Sequence, residues 1–483
     1  MHTFSLASLT LLLSACATVP PAPAPTVSAI PEAIVPTVPS FSVAAERKLP
    51  PIEEATVAQL QGWMDERRLS AHALVQFYLD RIDALDRGEH GLHAVIEVNP
   101  AALATADQLD GERAAGHLRG PLHGIPVLIK DNVATRGAGA DGMETTAGSL
   151  ALLGHRARDD AFIAAKLRAA GAIILGKTNL SEWANWRSTH ATSGWSGRGG
   201  QTHNPYDLTR NACGSSSGTG SGIAANLAAI GVGSETDGSI VCPSNVNGLV
   251  GLKPTLGRVS RTGIIPIAFS QDTAGPMART VKDAALLLDV LAGTDAADPA
   301  TKALTGSRAQ ECFSCGLDDT AAKDALKGVR VGVLRKSADF LPRVDERFNA
   351  AIDALKSAGA VIVDNVELPH DGKYGDDETK VLQYEFKDSI VKYLAALDAD
   401  APKTLADLIA FNTREAKAEM PYFDQELFTQ SEASGPLTTP EYRKARERSL
   451  RLAGKQGIDV ALKRHHLDVL IAPTGGPAWT SDY

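Results

Sequence analysis

Five cysteines among 483 residues are too few to frame a fold of this size with disulfides, so a packed core must hold it. Cys312-Phe-Ser-Cys315 reads as a chance surface pair rather than a bridge, and one CxxC cannot complete a tetrahedral zinc site. No metal constellation is present. His203, His465 and His466 are isolated or loop-like and His123 belongs to a turn, which suits structural or surface roles. Basic clusters are missing too: lysine and arginine number 48 against 57 acidic residues, and a net charge of −9 without a positive patch argues against nucleic acid as a partner. Mild acidity mainly favours solubility.

Long apolar runs are also lacking. The stretch from Phe4 to Leu13 is too short to cross a bilayer and suits the core of a signal peptide. Leu13-Ser-Ala-Cys16 resembles a bacterial lipoprotein cleavage box, with Cys16 as the lipidated residue, while Ala15-Cys-Ala17 would also serve as an ordinary cleavage site. Residues 1–16 are therefore expected to be a lipoprotein-like signal peptide. Residues 17–48, rich in proline and alanine, form an extended linker. Together they predict an exported, periplasmic protein tethered to a membrane by a lipid anchor at Cys16.

From residue 49 to 483 apolar and charged residues mix in globular proportion, with no repeat and no long linker, so one large domain is expected. Ser70 precedes a run in which Leu74, Tyr78, Ile82 and Leu85 recur at helical spacing, and Gly88 follows, which predicts a helix over 71–86. Short apolar runs at 95–98, 127–129, 172–175, 329–333, 361–363 and 469–471 alternate with helical stretches at 162–170 and 348–358. That alternation argues an α/β layered domain with a largely buried sheet.

The most informative segment is Gly233-Ser-Glu-Thr-Asp-Gly-Ser239, which sets a serine at the end of a Gly-bounded turn. Upstream lie the Gly-rich loop Gly214-Ser-Ser-Ser-Gly-Thr-Gly-Ser-Gly222 and an apolar run, Ile125-Pro-Val-Leu-Ile129, ending on Lys130. Serine, serine and a buried lysine make a proton relay, provided the lysine is unprotonated near neutral pH. Lowering a lysine from about 10.4 to neutrality takes about 4 kcal/mol, which full burial can supply.

Taken singly, such residues are weak signals, since serines in Gly-rich loops are usually turn residues. Gly214-Ser-Ser216-Ser-Gly218 also matches a hydrolase elbow with Ser216 as nucleophile, but the polar, Pro-containing stretch before it is not the buried strand that an elbow follows. Gly218-Thr-Gly220-Ser-Gly222 has Ile223 where a dinucleotide fingerprint needs glycine, and no Gly-Lys-Ser/Thr follows.

The ordered set carries more. Leu122-His-Gly-Ile-Pro-Val-Leu-Ile-Lys-Asp-Asn132, Gly176-Lys-Thr-Asn-Leu-Ser-Glu-Trp183, the two serine loops, Gly248-Leu-Val-Gly-Leu-Lys-Pro-Thr255 and Asp272-Thr-Ala-Gly-Pro276 resemble, in order, the motifs of the amidase signature family. The resemblance implies an α/β amidase domain with a mixed β-sheet core covered by helices on both faces. It also implies an acylated nucleophile at Ser239, a relay at Ser215 reached through a cis Gly214–Ser215 bond, and Lys130 as base. The N–H groups of Thr236, Asp237, Gly238 and Ser239 would form the oxyanion hole. No cofactor, metal or obligate protein partner is implied; the substrate would be a small-molecule or peptide amide.

Most relatives read Gly-Gly-Ser-Ile-Arg around the nucleophile, whereas this chain reads Asp237-Gly-Ser-Ile-Val241 and resembles the bacterial peptide amidases, which remove C-terminal amides. Two alternatives remain: an A-subunit-type amidotransferase or glutaminase, against which the export signal argues, and a non-catalytic peptide-binding lipoprotein. The family also extends beyond a segment like Asp468 to Thr474, so a C-terminus cut short at Tyr483, with an unpaired buried sheet edge, is expected.

Overall fold

The computed structural model describes residues 49–136, 141–304, 311–317 and 326–481. The predicted signal peptide, Cys16, the linker and Tyr483 lie outside these residues. Residues from 49 onward form one compact unit.

Six strands make the central sheet: β1 (Val95–Val98), β2 (Pro126–Lys130), β3 (Ile173–Thr178), β4 (Ile230–Glu235), β5 (Val250–Gly251) and β6 (Thr273–Ala278), in the order β1-β3-β2-β4-β6-β5. β2 runs parallel to β3 and β4, while β1, β6 and β5 are antiparallel to their neighbours, so the sheet is mixed. Every residue of β2, β3, β4 and β6 is buried. That is why these strands read as continuous apolar or small-residue runs rather than alternating ones.

Helices α1 (Val57–Asp65), α2 (Ala71–Leu85), α3 (Ala102–Ala114), α4 (Phe162–Ala169), α5 (Ser217–Ala224), α6 (Val241–Val246) and α7 (Val281–Leu291) surround this sheet. The Ser70 hydroxyl caps α2 by accepting the Ala73 N–H at 3.0 Å. Leu74, Tyr78 and Ile82 are fully buried, each contributing on the order of 1.5–3 kcal/mol. Leu85, expected on the same apolar stripe, is instead exposed. α5 lies so close to the sheet that a side chain at Gly218 would collide with the Ala94 carbonyl and the Asn179 backbone, which explains its small-residue composition.

The remaining apolar runs do not join the main sheet. β7 (Arg330–Val333), β8 (Val361–Val363) and β9 (Val469–Ile471) form a separate parallel sheet, ordered β8-β7-β9. Only β7 is largely buried there; Val361 and Val469 are exposed. β9 is an outer strand of this sheet, with Val469 exposed and Leu470 and Ile471 half-buried.

The cysteines correct the sequence reading. Cys312 pairs with Cys315, and Cys213 pairs with Cys242 across a separation of 29 residues. Composition could not reveal the second bond, since only the fold brings the two serine loops together.

Candidate active site

Three elements converge at the ends of the central strands. β2 carries Lys130 at its last position, inside a fully buried run, so its ammonium group is removed from water altogether. Burial pushes its pKa down to about 7, while the negative charges of Glu235 and Asp272 pull it back up. Nζ donates to Ser215 Oγ at 2.7 Å, to Ser234 Oγ at 3.0 Å and to the Ser234 carbonyl at 3.1 Å.

Ser215 is fully buried and follows a cis Gly214–Ser215 peptide bond, as the resemblance implied. Its carbonyl accepts from Ser181 N–H at 3.1 Å. Ser239 begins the path toward α6 and is 7% exposed. Its carbonyl accepts from the Ser216 N–H at 3.1 Å, which ties the two serine loops together. The Ser239 hydroxyl itself makes no hydrogen bond among the described residues, so it is the uncommitted alcohol of the group. Lys130 and Ser215 are thus hydrogen-bonded, and Ser239 is tied through its carbonyl to Ser216, the residue next to Ser215.

The turn before Ser239 has the character of an anion site. The N–H groups of Asp237, Gly238 and Ser239 donate to no other group among the described residues. Gly238 has a φ of 78°, a left-handed conformation that glycine adopts at no steric cost. Two carboxylates, the buried Glu235 and the half-buried Asp272, brace the turn. Glu235 Oε2 accepts from the N–H groups of Ile240 at 2.7 Å and Val241 at 3.0 Å. Asp272 Oδ1 accepts from Thr236 Oγ1 at 2.6 Å, and its Oδ2 accepts from Ile267 and Ala268 N–H at 2.9 Å. Burial raises the Asp272 pKa to about 6 against these bonds.

Ser234 was not anticipated. It lies on β4 between Gly233 and Glu235, and its hydroxyl also accepts from Asn132 Nδ2 at 2.8 Å. A polar residue inside a wholly buried strand was the available signal. The rival nucleophile Ser216 is fully buried, and its hydroxyl both donates to the Ser234 carbonyl (3.1 Å) and accepts from Ser234 N–H (3.2 Å). It has no freedom to attack a substrate. His123, likewise buried, is held by the Leu109 carbonyl at 2.9 Å and serves structure.

A cavity of about 810 Å³ abuts the turn, with Ser234, Thr236 and Asp272 at one end and Ile265, Phe269 and Tyr393 along its walls. Ser215 and Ser239 do not line it directly. Among the described residues there is no group of histidine, cysteine and acidic side chains able to hold a metal ion.

Comparison with known proteins agrees with this geometry. The amidase family model matches residues 73–482, and the chain belongs to that family, the amidase signature enzymes. Peptide amidase from Stenotrophomonas maltophilia is 51% identical, with a TM-score of 0.83 over 89% of this chain and 86% of that one. A probable amidase of Arabidopsis thaliana is 38% identical over 427 residues, covering 87% of this chain and 80% of the relative. A glutamyl-tRNA(Gln) amidotransferase subunit from Salinispora arenicola is 40% identical over 324 residues, covering 65% of this chain and 61% of the relative. The protein is an amide-hydrolysing enzyme on a single α/β amidase domain.

Proposed function

We propose that the enzyme hydrolyses the C-terminal amide of peptides through an acyl-enzyme on Ser239. Neutral Lys130 takes the Ser215 proton as Ser215 takes that of Ser239, and the Ser239 oxygen bonds to the amide carbon. The oxyanion rests on the N–H groups of Thr236, Asp237, Gly238 and Ser239. As the C–N bond breaks, the relay returns the proton to nitrogen and ammonia leaves. Water then attacks the ester by the same route, releasing the carboxylate and restoring Ser239.

The observation that carries this reading is the 2.7 Å bond between a fully buried lysine and Ser215. The peptide-amide substrate is supported by 51% identity to a peptide amidase and by the Asp237-Gly-Ser-Ile-Val241 turn, which resembles that of the peptide amidases. Export and a lipid anchor at Cys16 belong to the same proposal, resting on the leader sequence alone.

Ammonia release from C-terminally amidated dipeptides, fatty amides and glutamine, beside aniline release from anilides, tests the substrate. We expect the dipeptide amides to be turned over fastest. Preference for glutamine would support the amidotransferase-like reading. A folded protein that turns over none of them and takes no fluorophosphonate on Ser239 would be a binder instead.

A further inference from the structure

The two disulfides differ in what they join. Cys312–Cys315 closes a local loop of separation 3. Cys213–Cys242 instead joins the residue just before Gly214–Ser215 to the third residue after Ser239. One covalent bond therefore clasps both hydroxyl-bearing loops. Among the described residues the loops are otherwise tied by hydrogen bonds: Ser216 N–H to the Ser239 carbonyl, the Ser216 hydroxyl to the Ser234 main chain, and Asn247 Nδ2 to the Ala212 carbonyl at 3.0 Å and the Pro243 carbonyl at 2.7 Å. Cys213 N–H to Asn211 Oδ1 at 2.7 Å and Cys242 N–H to the Gly238 carbonyl at 2.8 Å brace each loop locally. Cys213 is 5% exposed and Cys242 is half-buried, so Cys242 is the less buried residue of the pair.

The two loops meet from different directions, one leading into α5 and the other leaving β4 for α6. Neither is part of a strand ladder at the reacting serines, so beyond side-chain packing their separation is held by these hydrogen bonds and the disulfide. Misplacing a reacting group by about 1 Å can cost on the order of 100-fold in rate. A bond that fixes the spacing of the two loops therefore acts on turnover more than on the stability of the whole.

We propose that the Cys213–Cys242 disulfide is a positioning clasp that holds Ser239 in register with Ser215, making full amidase activity depend on oxidation of this thiol pair. It rests on the reading of Ser239 and Ser215 as the reacting hydroxyls. In the oxidation the two thiols lose two protons and two electrons to a small-molecule disulfide such as glutathione disulfide, which leaves as two thiols; a dithiol such as dithiothreitol reverses it. An enzyme of this design is attenuated while reduced and gains full turnover in an oxidising compartment.

The test compares the full chain oxidised and after dithiothreitol, with iodoacetamide mapping by mass spectrometry to identify which cysteines opened. We expect opening of Cys213–Cys242 to lower kcat on an amidated dipeptide about 10- to 100-fold, with KM within about twofold and an unchanged far-UV circular dichroism spectrum. The rate of fluorophosphonate labelling at Ser239 falls in parallel, and both recover on adding glutathione disulfide. Cys312→Ser/Cys315→Ser keeps the oxidised rate and the sensitivity to dithiothreitol, whereas Cys213→Ser/Cys242→Ser is slow and insensitive. Unchanged kcat with both sulfurs of the clasp alkylated would overturn the proposal, as would loss of sensitivity in Cys312→Ser/Cys315→Ser. Should the clasp variant fail to fold, the reduced wild-type protein still decides. If the oxidised enzyme ignores peptide amides, the substrate assignment falls while the labelling rate still reads the clasp.

Discussion

Two lysines are completely buried on neighbouring strands, Lys130 at the end of β2 and Lys177 on β3. Burial lowers both, Lys130 to about 7 and Lys177 to about 8. Their surroundings differ in kind. Lys177 donates to the Val133 carbonyl at 2.6 Å and to Thr145 Oγ1 at 2.7 Å, and feels the charges of Asp131, Asp141 and Glu97. Thr145 leads only to a main-chain carbonyl, so a proton arriving there has nowhere to go. Lys130 faces Ser215, beside an uncommitted Ser239. Desolvation can make each lysine a base; under the proposed mechanism only Lys130 bonds a hydroxyl that leads toward a nucleophile.

The pair of methionine variants should separate these roles most sharply. Lys130→Met is expected to cost about 10²–10⁴-fold in kcat/KM, the range for loss of a general base. It should also stabilise the fold. In the folded state Lys130 holds its proton only below about pH 7, whereas unfolded it does so up to its ordinary value of 10.5. Its burial therefore weakens the fold fully below pH 7, and that weakness fades as pH rises toward 10.5. At pH 8 the variant should gain about 3 kcal/mol, less the cost of unbonded Ser234, and urea melts across pH would read it. Lys177→Met should keep kcat within about tenfold; because burial lowers Lys177 too, to about 8, it carries a similar gain of about 3 kcal/mol at pH 8, less about 1–3 kcal/mol for each buried partner left without a donor. Equal loss of activity in the two would erase the distinction drawn between them.

A pH profile sharpens the same contrast. Because only neutral Lys130 can take a proton, kcat/KM should rise with pH through about 7 and then level. Lys177→Met should leave that limb unmoved. Asp272→Asn should move it to lower pH, since the ionised carboxylate raises the Lys130 pKa. The asparagine can keep both contacts, its oxygen accepting from Ile267 and Ala268 and its amide donating to a rotated Thr236. A limb that stays put would show that Asp272 acts through shape alone.

The reach of sequence reading follows the same lines. Lys130, Ser215 and Ser239 sit in contiguous motifs that a chain reports directly, and β2 and β3 announce themselves by apolar runs, whereas β4, interrupted by Gly231 and Gly233, does not. What stayed hidden depends on contacts between distant segments. Arg187, fully buried, pairs with Glu182 at 2.5 Å and with Glu419 at 3.6 Å, and each looks like a surface charge in the sequence. The Cys213–Cys242 bond was invisible for the same reason. Short runs such as Val361–Val363 carry no mark of which sheet they join, so the second sheet could not be told from the first.

Ser234 gives the smallest expected effect and the finest test. Its hydroxyl accepts from both Lys130 Nζ and Asn132 Nδ2, so it orients the amine without standing on the path from Ser239 to Lys130. Ser234→Ala leaves the main-chain carbonyl and Ser215 as partners of Nζ, and leaves the Asn132 amide without this acceptor. Losing one buried hydrogen bond of this kind costs about 1 kcal/mol, so kcat should fall roughly fivefold, with KM little changed. Thr145→Ala removes the equivalent hydroxyl beside Lys177 and should leave kcat untouched, because nothing there leads to a nucleophile. If the two alanine variants lowered kcat alike, the hydroxyl beside Lys130 would be no more than packing.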